Sequence, residues 1–175
     1  DTFRKKYQNE KLLLVGFAET ATAIGAQAAI TAGTKYIQTT REVISDVEYL
    51  FFSEEHSHAT EQKLIKDDID QIAGKVDRIV FIEDEVTTGN TILNIINILE
   101  KQYDGRFLYA VASILNGMDA EHMEIYKNRG IDLHYLVKTD HSKYARKADE
   151  YTGNGQYYDC IDQSTDAYMT VNIPD

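Results

Sequence analysis

The fold is decided by the stretch Ile79-Val80-Phe81-Ile82-Glu83-Asp84-Glu85-Val86-Thr87-Thr88-Gly89-Asn90-Thr91. Its four leading apolar residues are typical of a short strand that is buried on both faces of a parallel sheet. Two acids follow this run directly, and a Thr-Thr-Gly turn comes next. Beyond the turn, apolar residues recur at helical spacing, namely Ile92, Leu93, Ile95, Ile96 and Leu99. The pattern predicts a strand over 79–82, a loop at the carboxyl edge of a sheet, and an amphipathic helix.

The loop after this strand has the composition of a phosphate-binding turn. Thr87, Thr88 and Gly89 supply hydroxyls and an unhindered backbone, and the positive end of the following helix favours an anion. Glu83 and Asp84 would repel a phosphate, but they can accept hydrogen bonds from sugar hydroxyls. The pattern therefore indicates a ribose 5-phosphate ligand. The alternative is a strand that leads into a helix with Thr88 as an ordinary N-cap.

The same residues resemble the binding signature for phosphoribosyl pyrophosphate (PRPP) in the type I phosphoribosyltransferases. That signature is four hydrophobic residues, two acids, two mostly apolar residues and Thr-Thr-Gly-x-Thr, and here it reads IVFI-ED-EV-TTGNT. Glu85 departs from it, because an apolar residue is usual there. The resemblance implies an α/β, Rossmann-like, mostly parallel sheet flanked by helices. It also implies Mg²⁺-dependent transfer of a phosphoribosyl group from PRPP to a nitrogenous base, with release of pyrophosphate.

The resemblance assigns roles to the residues of the signature. Glu83 and Asp84 would be catalytic, since they would hold the ribose hydroxyls and stabilise the positive charge that develops on the ring. Mg²⁺ would be held mainly by the substrate, and these two acids could contact it through water. The 5-phosphate would be bound by Thr87, Thr88, Gly89, Asn90 and Thr91.

Two further segments at the same edge are candidates for pyrophosphate binding. The loop Gly16-Phe17-Ala18-Glu19-Thr20 joins the first predicted strand to its helix, and in the family such a loop presents backbone N–H groups to pyrophosphate. The residues assigned to this role are Phe17, Ala18, Glu19 and Thr20. Arg41 lies in a segment similar to the basic segment of orotate phosphoribosyltransferases, and it could grip pyrophosphate oxygens as a fork. The alternatives are a plain turn and a surface ion pair of Arg41 with Glu42 or Asp46.

The segment from 51 to 62 is polar, and in the type I enzymes this place holds a mobile loop that covers the substrate. His56 and His58 would act there in catalysis, by contacting pyrophosphate or by protonating it as it leaves. A zinc site is a rival hypothesis, because Glu54, His56 and His58 offer mixed ligands. A polar loop without chemistry is the third.

The runs 56–61 and 16–21 are similar to a narrower group, the phosphoribosyltransferase-like proteins of bacterial tellurium-resistance and stress gene clusters. The resemblance covers about residues 11–137, and it leaves open whether the chain is an enzyme or a non-catalytic sensor of PRPP or a nucleotide. Asn116 lies where the superfamily often contacts the base, although Asn-Gly also marks a turn. His122, His134 and His141 are expected to be structural.

Strands and helices alternate along the chain, which predicts right-handed crossovers and one domain over 1–175. The predicted strands are 11–15, 35–38, 79–82, 107–115 and 131–137, and the predicted helices include 20–32, 68–75 and 119–128. Residues 11–137 would form the core, and 138–175 a C-terminal extension that could serve as the hood over the base. Residues 41–68 lack a clear period, so no strand or helix is predicted before the helix that begins at Asp68.

Composition narrows the classes of partner. The net charge is −11, from 18 basic and 29 acidic residues, and this argues against nucleic acid. No apolar run approaches the ~18–20 residues that span a bilayer, so no membrane partner is expected. The lone Cys160 excludes an internal disulfide and suits a reducing cytoplasm. The expected partners are PRPP, an unidentified base and, as is common among relatives, a second copy of the chain.

Overall fold

A computed structural model of the protein describes residues 5–52 and 62–141. The strands in this part are β1 (Leu12–Gly16), β2 (Lys35–Gln38), β3 (Tyr49–Phe52), β4 (Gln62–Ile65), β5 (Arg78–Val86), β6 (Leu108–Asn116) and β7 (Asp132–Lys138). Five of them form a sheet in the order β2-β1-β5-β6-β7, and every pair is parallel. The predicted α/β fold with a mostly parallel sheet is confirmed.

The helices in the described ranges are α1 (Thr22–Ala32), α2 (Lys66–Asp70), α3 (Asn90–Gln102) and α4 (Ala120–Asn128). The helix predicted over 68–75 was placed wrongly. An i,i+4 ion pair between Lys66 and Asp70 holds α2 instead, and a 3₁₀ turn over Ala73–Lys75 follows it, where Gly74 disfavours a continued helix. Across residues 5–52 and 62–141, no helix is long and apolar enough to cross a membrane.

The centre of the sheet is buried on both faces, as the continuous apolar run of β5 predicts. One layer includes Phe81 together with the apolar stripe of α3, whose buried members are Ile92, Ile95, Ile96 and Leu99. The other layer includes Val80 with Leu14, Tyr7 and Ala29 of α1. Each fully buried Leu or Ile stabilises the fold by about 1.5–3 kcal/mol, so β5 is fixed from both sides. The loop after β5 therefore starts from a rigid base.

The segment without a predicted structure contains an antiparallel hairpin of β3 and β4. Leu50, Phe52 and Leu64 of the hairpin are buried in the same layer as α3. Two backbone hydrogen bonds between Thr40 and Lys63 tie the hairpin to the chain that follows β2. The hairpin thus places its own residues beside the carboxyl edge of the main sheet. Residues 53–61 lie outside the described ranges.

Strand β5 is longer than the sequence predicted. The apolar run ends at Ile82, but the strand continues to Val86 because Glu83, Glu85 and Val86 still pair with β6. Side chains alternate between the faces of a strand, so Glu83 and Glu85 share one face and Asp84 lies on the other. The two adjacent acids of the signature therefore do not lie side by side.

Candidate active site

The carboxyl ends of the parallel strands are joined by backbone hydrogen bonds beyond the last regular pairs. The donors and acceptors are Thr39 N–H to Gly16 O at 2.9 Å, Phe17 N–H to Ile82 O at 3.1 Å, Gly117 N–H to Val86 O at 2.7 Å and Thr139 N–H to Asn116 O at 2.8 Å. These bonds hold the loops after β1, β2, β5, β6 and β7 at one edge. Ligands bind at this edge in open α/β sheets.

A cavity of about 540 Å³ opens at this edge, within the size range of small-molecule sites. Its lining comes from the loops after β1 and β2, from β4, and from β5 with the turn after it. The lining residues are Phe17, Ala18, Glu19, Thr20, Arg41, Gln62, Glu83, Glu85, Val86, Thr87, Thr88, Gly89, Thr91 and Ile92. The cavity thus brings together most of the residues to which the sequence assigned phosphate and pyrophosphate binding.

Several residues with a predicted role do not line this cavity. Asp84 is one of them, but its Oδ1 accepts a hydrogen bond of 3.0 Å from the hydroxyl of Thr20, which does line it. Asn90 begins helix α3 behind the lining. His56 and His58, with the rival zinc ligand Glu54, lie outside the described residues. In the described ranges, no three His, Cys, Asp or Glu side chains converge as a metal site.

The predicted phosphate turn has the geometry of an open helix start. Gly89 is the N-cap of α3, with φ 79° and ψ 5°, and no side chain caps it. The N-cap is therefore not Thr88, whose hydroxyl accepts a hydrogen bond of 3.3 Å from the Asn90 N–H. Behind the turn, the buried Tyr126 hydroxyl donates a hydrogen bond of 2.6 Å to Gly89 O. Burial raises the pKa of Tyr126, so this phenol stays a neutral donor.

The loop after β1 is held by a closed ring of three hydrogen bonds. Ala18 N–H donates to Thr39 Oγ1 at 2.8 Å, the Thr39 hydroxyl donates to Gln62 Oε1 at 2.6 Å, and Gln62 Nε2 donates to Ala18 O at 2.9 Å. Thr39 and Gln62 are only 1% and 3% exposed. The peptide bond between Ala18 and Glu19 is cis. Two side chains thus fix both backbone polar groups of Ala18 at the cavity wall.

Among the lining residues that the structure describes, Arg41 is the one cation, and it stands with three acids, Glu19, Glu83 and Glu85. The Lys63 ammonium lies close by, where it donates to Arg41 O at 3.3 Å and to Glu42 O at 3.4 Å. These hydrogen bonds hold the backbone of Arg41 in place. The lining therefore offers an anionic ligand both Arg41 and the start of α3.

A residue that the sequence placed among structural histidines contacts the cavity wall. His141 Nε2 lies 3.2 Å from Glu85 Oε1 and 2.8 Å from Thr139 Oγ1. Asn116, by contrast, is buried and accepts a hydrogen bond from Met118 N–H through Oδ1. The Asn116 side chain thus stabilises a turn, which is the alternative that the Asn-Gly pair indicated. Recognition of the base by Asn116 stays a prediction.

A family model described as "Phosphoribosyl transferase" matches residues 2–142. The chain belongs to this family of phosphoribosyl transferases. It is accordingly a phosphoribosyltransferase, which agrees with the helix start, the acids and the loop after β1 that surround the cavity.

Solved structures of adenine phosphoribosyltransferases share its fold. The Giardia lamblia enzyme, in complex with 9-deazaadenine, has a TM-score of 0.58 at 14% identity, with 80% of this chain and 77% of that one covered. The Trypanosoma brucei enzyme, in complex with AMP, pyrophosphate and ribose-5-phosphate, has a TM-score of 0.54 at 19% identity, with 78% and 61% covered. The Thermoanaerobacter pseudethanolicus enzyme has a TM-score of 0.55 at 18% identity, with 79% and 76% covered. No protein among the curated proteins matches the sequence.

Proposed function

We propose that the protein transfers the phosphoribosyl group of PRPP to a nitrogenous base in a Mg²⁺-dependent reaction. The observation that carries the proposal is the cavity itself, which joins an uncapped helix start at Gly89 to the Glu83 carboxylate. The loop held at Ala18 forms another part of the same lining. PRPP needs all three together: a helix start for the 5-phosphate, a carboxylate for the pentose hydroxyls and a loop for the pyrophosphate.

The residues fit the parts of PRPP as follows. The hydroxyls of Thr87 and Thr88 and the N–H groups at the start of α3 suit the 5-phosphate. Glu83 can accept hydrogen bonds from the ribose hydroxyls and stabilise the positive charge on the ring as the bond to pyrophosphate breaks. Arg41 and the backbone of the loop after β1 suit pyrophosphate. A neighbouring fold, that of the Trypanosoma brucei enzyme, holds AMP, pyrophosphate and ribose-5-phosphate, which supports this set of ligands.

The donors at the cavity fit Mg²⁺. This ion prefers oxygen ligands, keeps several waters, and is usually bound by one or two carboxylates plus substrate phosphates. Glu83 lines the cavity, and the Asp84 carboxylate lies just outside the lining, where it accepts from the Thr20 hydroxyl. When bound, the ion would neutralise part of the charge on pyrophosphate. It would also offset the acids that outnumber Arg41 in the lining.

The direct test is consumption of PRPP. We expect pyrophosphate release when PRPP, Mg²⁺ and a suitable base are supplied, and we expect PRPP with Mg²⁺ to raise the melting temperature. A thermal-shift panel of purine, pyrimidine and orotate-like ligands would identify the base. The proposal is wrong if PRPP neither binds nor is consumed.

A non-catalytic sensor of PRPP or a nucleotide is the second candidate. The net charge of −11 and the unusual Glu85 favour it, because both oppose tight handling of an anionic substrate in turnover. Binding of PRPP without consumption in the presence of every base would support the sensor. Either role would suit a bacterial tellurium-resistance or stress gene cluster, and that association, like the cytoplasmic location and the homodimer, stays a prediction.

Asp84→Asn is expected to lower turnover by roughly 10- to 100-fold with little change in the free energy of unfolding. The carboxylate holds the hydroxyl of Thr20 at the cavity, and its charge would favour the developing positive charge on the ribose. Asp77→Asn is the matched control, because Asp77 is exposed at the start of β5 and accepts from Lys11 N–H at the other end of the sheet. Steady-state rates and urea unfolding of both variants measure the difference. Full activity of Asp84→Asn would remove the residue from the proposed site.

A further inference from the structure

Glu85 lines the cavity, and its carboxylate contacts His141, a residue from a distant part of the chain. Its Oε1 lies 3.2 Å from His141 Nε2, and the two side chains are 39% and 36% exposed, so both remain accessible to a ligand. The same Nε2 lies 2.8 Å from Thr139 Oγ1, whose hydroxyl donates to Asn116 O at 3.2 Å. A carboxylate can only accept hydrogen bonds, so a favourable contact with Glu85 requires the hydrogen on Nε2, which then shares it between Glu85 Oε1 and Thr139 Oγ1. One acceptor position of the carboxylate is then used by His141.

The position of the imidazole depends on a glycine beneath it. A Cβ at Gly117 would lie 2.8 Å from Cε1 of His141, which is closer than real Cβ atoms approach their neighbours, and 3.0 Å from Nδ1. The ring therefore rests against the backbone at the end of β6. Glu85 on β5, Gly117 after β6 and His141 after β7 together form one wall, referred to below as the Glu85–His141 wall.

The chemistry of the proposed reaction places the acceptor on this side. The acceptor nitrogen forms its bond to C1′ of the ribose as the bond from C1′ to the pyrophosphate oxygen breaks, and pyrophosphate leaves with the electron pair. A nitrogen that carries a hydrogen, as in adenine, then loses it as a proton to water, whereas a pyridine nitrogen, as in nicotinamide, keeps the positive charge. The incoming and leaving groups lie on opposite sides of C1′ in such a displacement.

The order of the strands then separates the two groups. Pyrophosphate is assigned to the loops after β1 and β2, which lie on one side of β5 in the sheet. With pyrophosphate on that side, an acceptor that approaches C1′ from the opposite direction would come from where β6 and β7 end. The Glu85–His141 wall stands there, and Glu85 itself lines the cavity.

We infer that the Glu85–His141 wall binds the acceptor and restricts it to an uncharged heterocycle with N–H donors. This inference rests on the proposed phosphoribosyl transfer. The carboxylate of Glu85 can accept hydrogen bonds from a ring amino group or an amide. It repels an acceptor that carries its own carboxylate, so specificity comes from an unfavourable contact as well as a favourable one.

The test measures acceptor binding by equilibrium dialysis with ribose 5-phosphate, pyrophosphate and Mg²⁺ in place of PRPP, so that no transfer consumes the acceptor. The probes are adenine and nicotinamide, which carry N–H donors, and orotate and nicotinate, which carry a carboxylate. Nicotinamide and nicotinate differ only in that substituent. We compare the better-binding compound of each pair. We expect adenine or nicotinamide to bind at least about 10-fold more tightly than orotate or nicotinate. In Glu85→Gln, which keeps the shape and removes the charge, we expect that ratio to fall below about threefold.

The outcomes separate the failure of this inference from that of the proposed function. PRPP binding is measured first by calorimetry, and its absence in the native protein would overturn the proposed function. If PRPP binds, three results overturn the inference alone: equal or tighter binding of orotate or nicotinate, no binding of adenine or nicotinamide, or an unchanged ratio in Glu85→Gln. Thermal unfolding of Glu85→Gln confirms that the comparison is made on a folded protein.

Discussion

Gly89→Ala is expected to destabilise the protein by about 2–5 kcal/mol and to abolish PRPP binding. The residue has φ 79°, in the left-handed region that costs an L-residue about 1–2 kcal/mol. A Cβ there would also lie 2.5 Å from both Met118 Cε and Tyr126 Oη. Both neighbours are fully buried, so the added methyl group must displace packed side chains behind the phosphate turn. The helix start that offers its N–H groups to the phosphate would move with them.

Gly105→Ala is the matched control for this substitution. Gly105 has φ 65°, but a Cβ there would meet nothing within 4 Å. The control therefore carries the left-handed strain without the clash, and we expect a cost of only about 1–2 kcal/mol and unchanged PRPP binding. Urea unfolding gives the two stabilities, and calorimetric titration gives the two affinities. Equal costs at both positions would mean that Met118 and Tyr126 do not constrain the turn.

The parallel sheet could be predicted because its signal is local. The apolar run of β5 and the helical spacing of α3 are features of a few neighbouring residues, and the structure places both as expected. The carboxyl-edge position of the loops followed from the alternation of strands and helices. The cavity residues Thr87, Thr88 and Gly89 were therefore accessible to sequence reasoning.

The end of β5 could not be predicted, because pairing does not require apolar side chains. The strand continues past Ile82 through hydrogen bonds to β6, a partner whose register no local pattern reveals. That extension decides which acids share a face. It moves Asp84 away from Glu83 and brings Glu85 into the lining instead.

The contacts that complete the site join residues far apart in sequence. Gln62 bonds to Ala18 across 44 positions, and His141 reaches back to Glu85. A single sequence holds no sign of such pairs when each partner is a common polar residue in a segment without periodicity. The hairpin that presents Gln62 was missed for the same reason, since its two strands have four residues each.

Thr39→Val and Gln62→Leu are each expected to cost about 2–6 kcal/mol of stability, and the double variant about the same rather than the sum. Thr39→Val removes one hydrogen bond from Ala18 N–H and one from Gln62 Oε1, and Gln62→Leu removes one from Ala18 O and one from the Thr39 hydroxyl hydrogen. The double variant removes hydrogen bonds only from the two backbone groups of Ala18. Each variant therefore takes a partner from two buried polar groups, which costs about 1–3 kcal/mol per group. Urea unfolding of the four proteins gives the coupling energy.

An exposed pair of the same residue types supplies the control. Gln27 Nε2 donates to Thr31 Oγ1 at 3.4 Å on the solvent face of α1. We expect Thr31→Val and Gln27→Leu to cost less than about 0.5 kcal/mol each and to add, because water replaces the lost partner. In the buried ring, the loss should also raise KM for PRPP more than it lowers kcat, since Ala18 belongs to the loop proposed to bind pyrophosphate. Additive costs for Thr39 and Gln62 would mean that the two side chains act separately, and the backbone of Ala18 would then owe its position to the sheet edge alone.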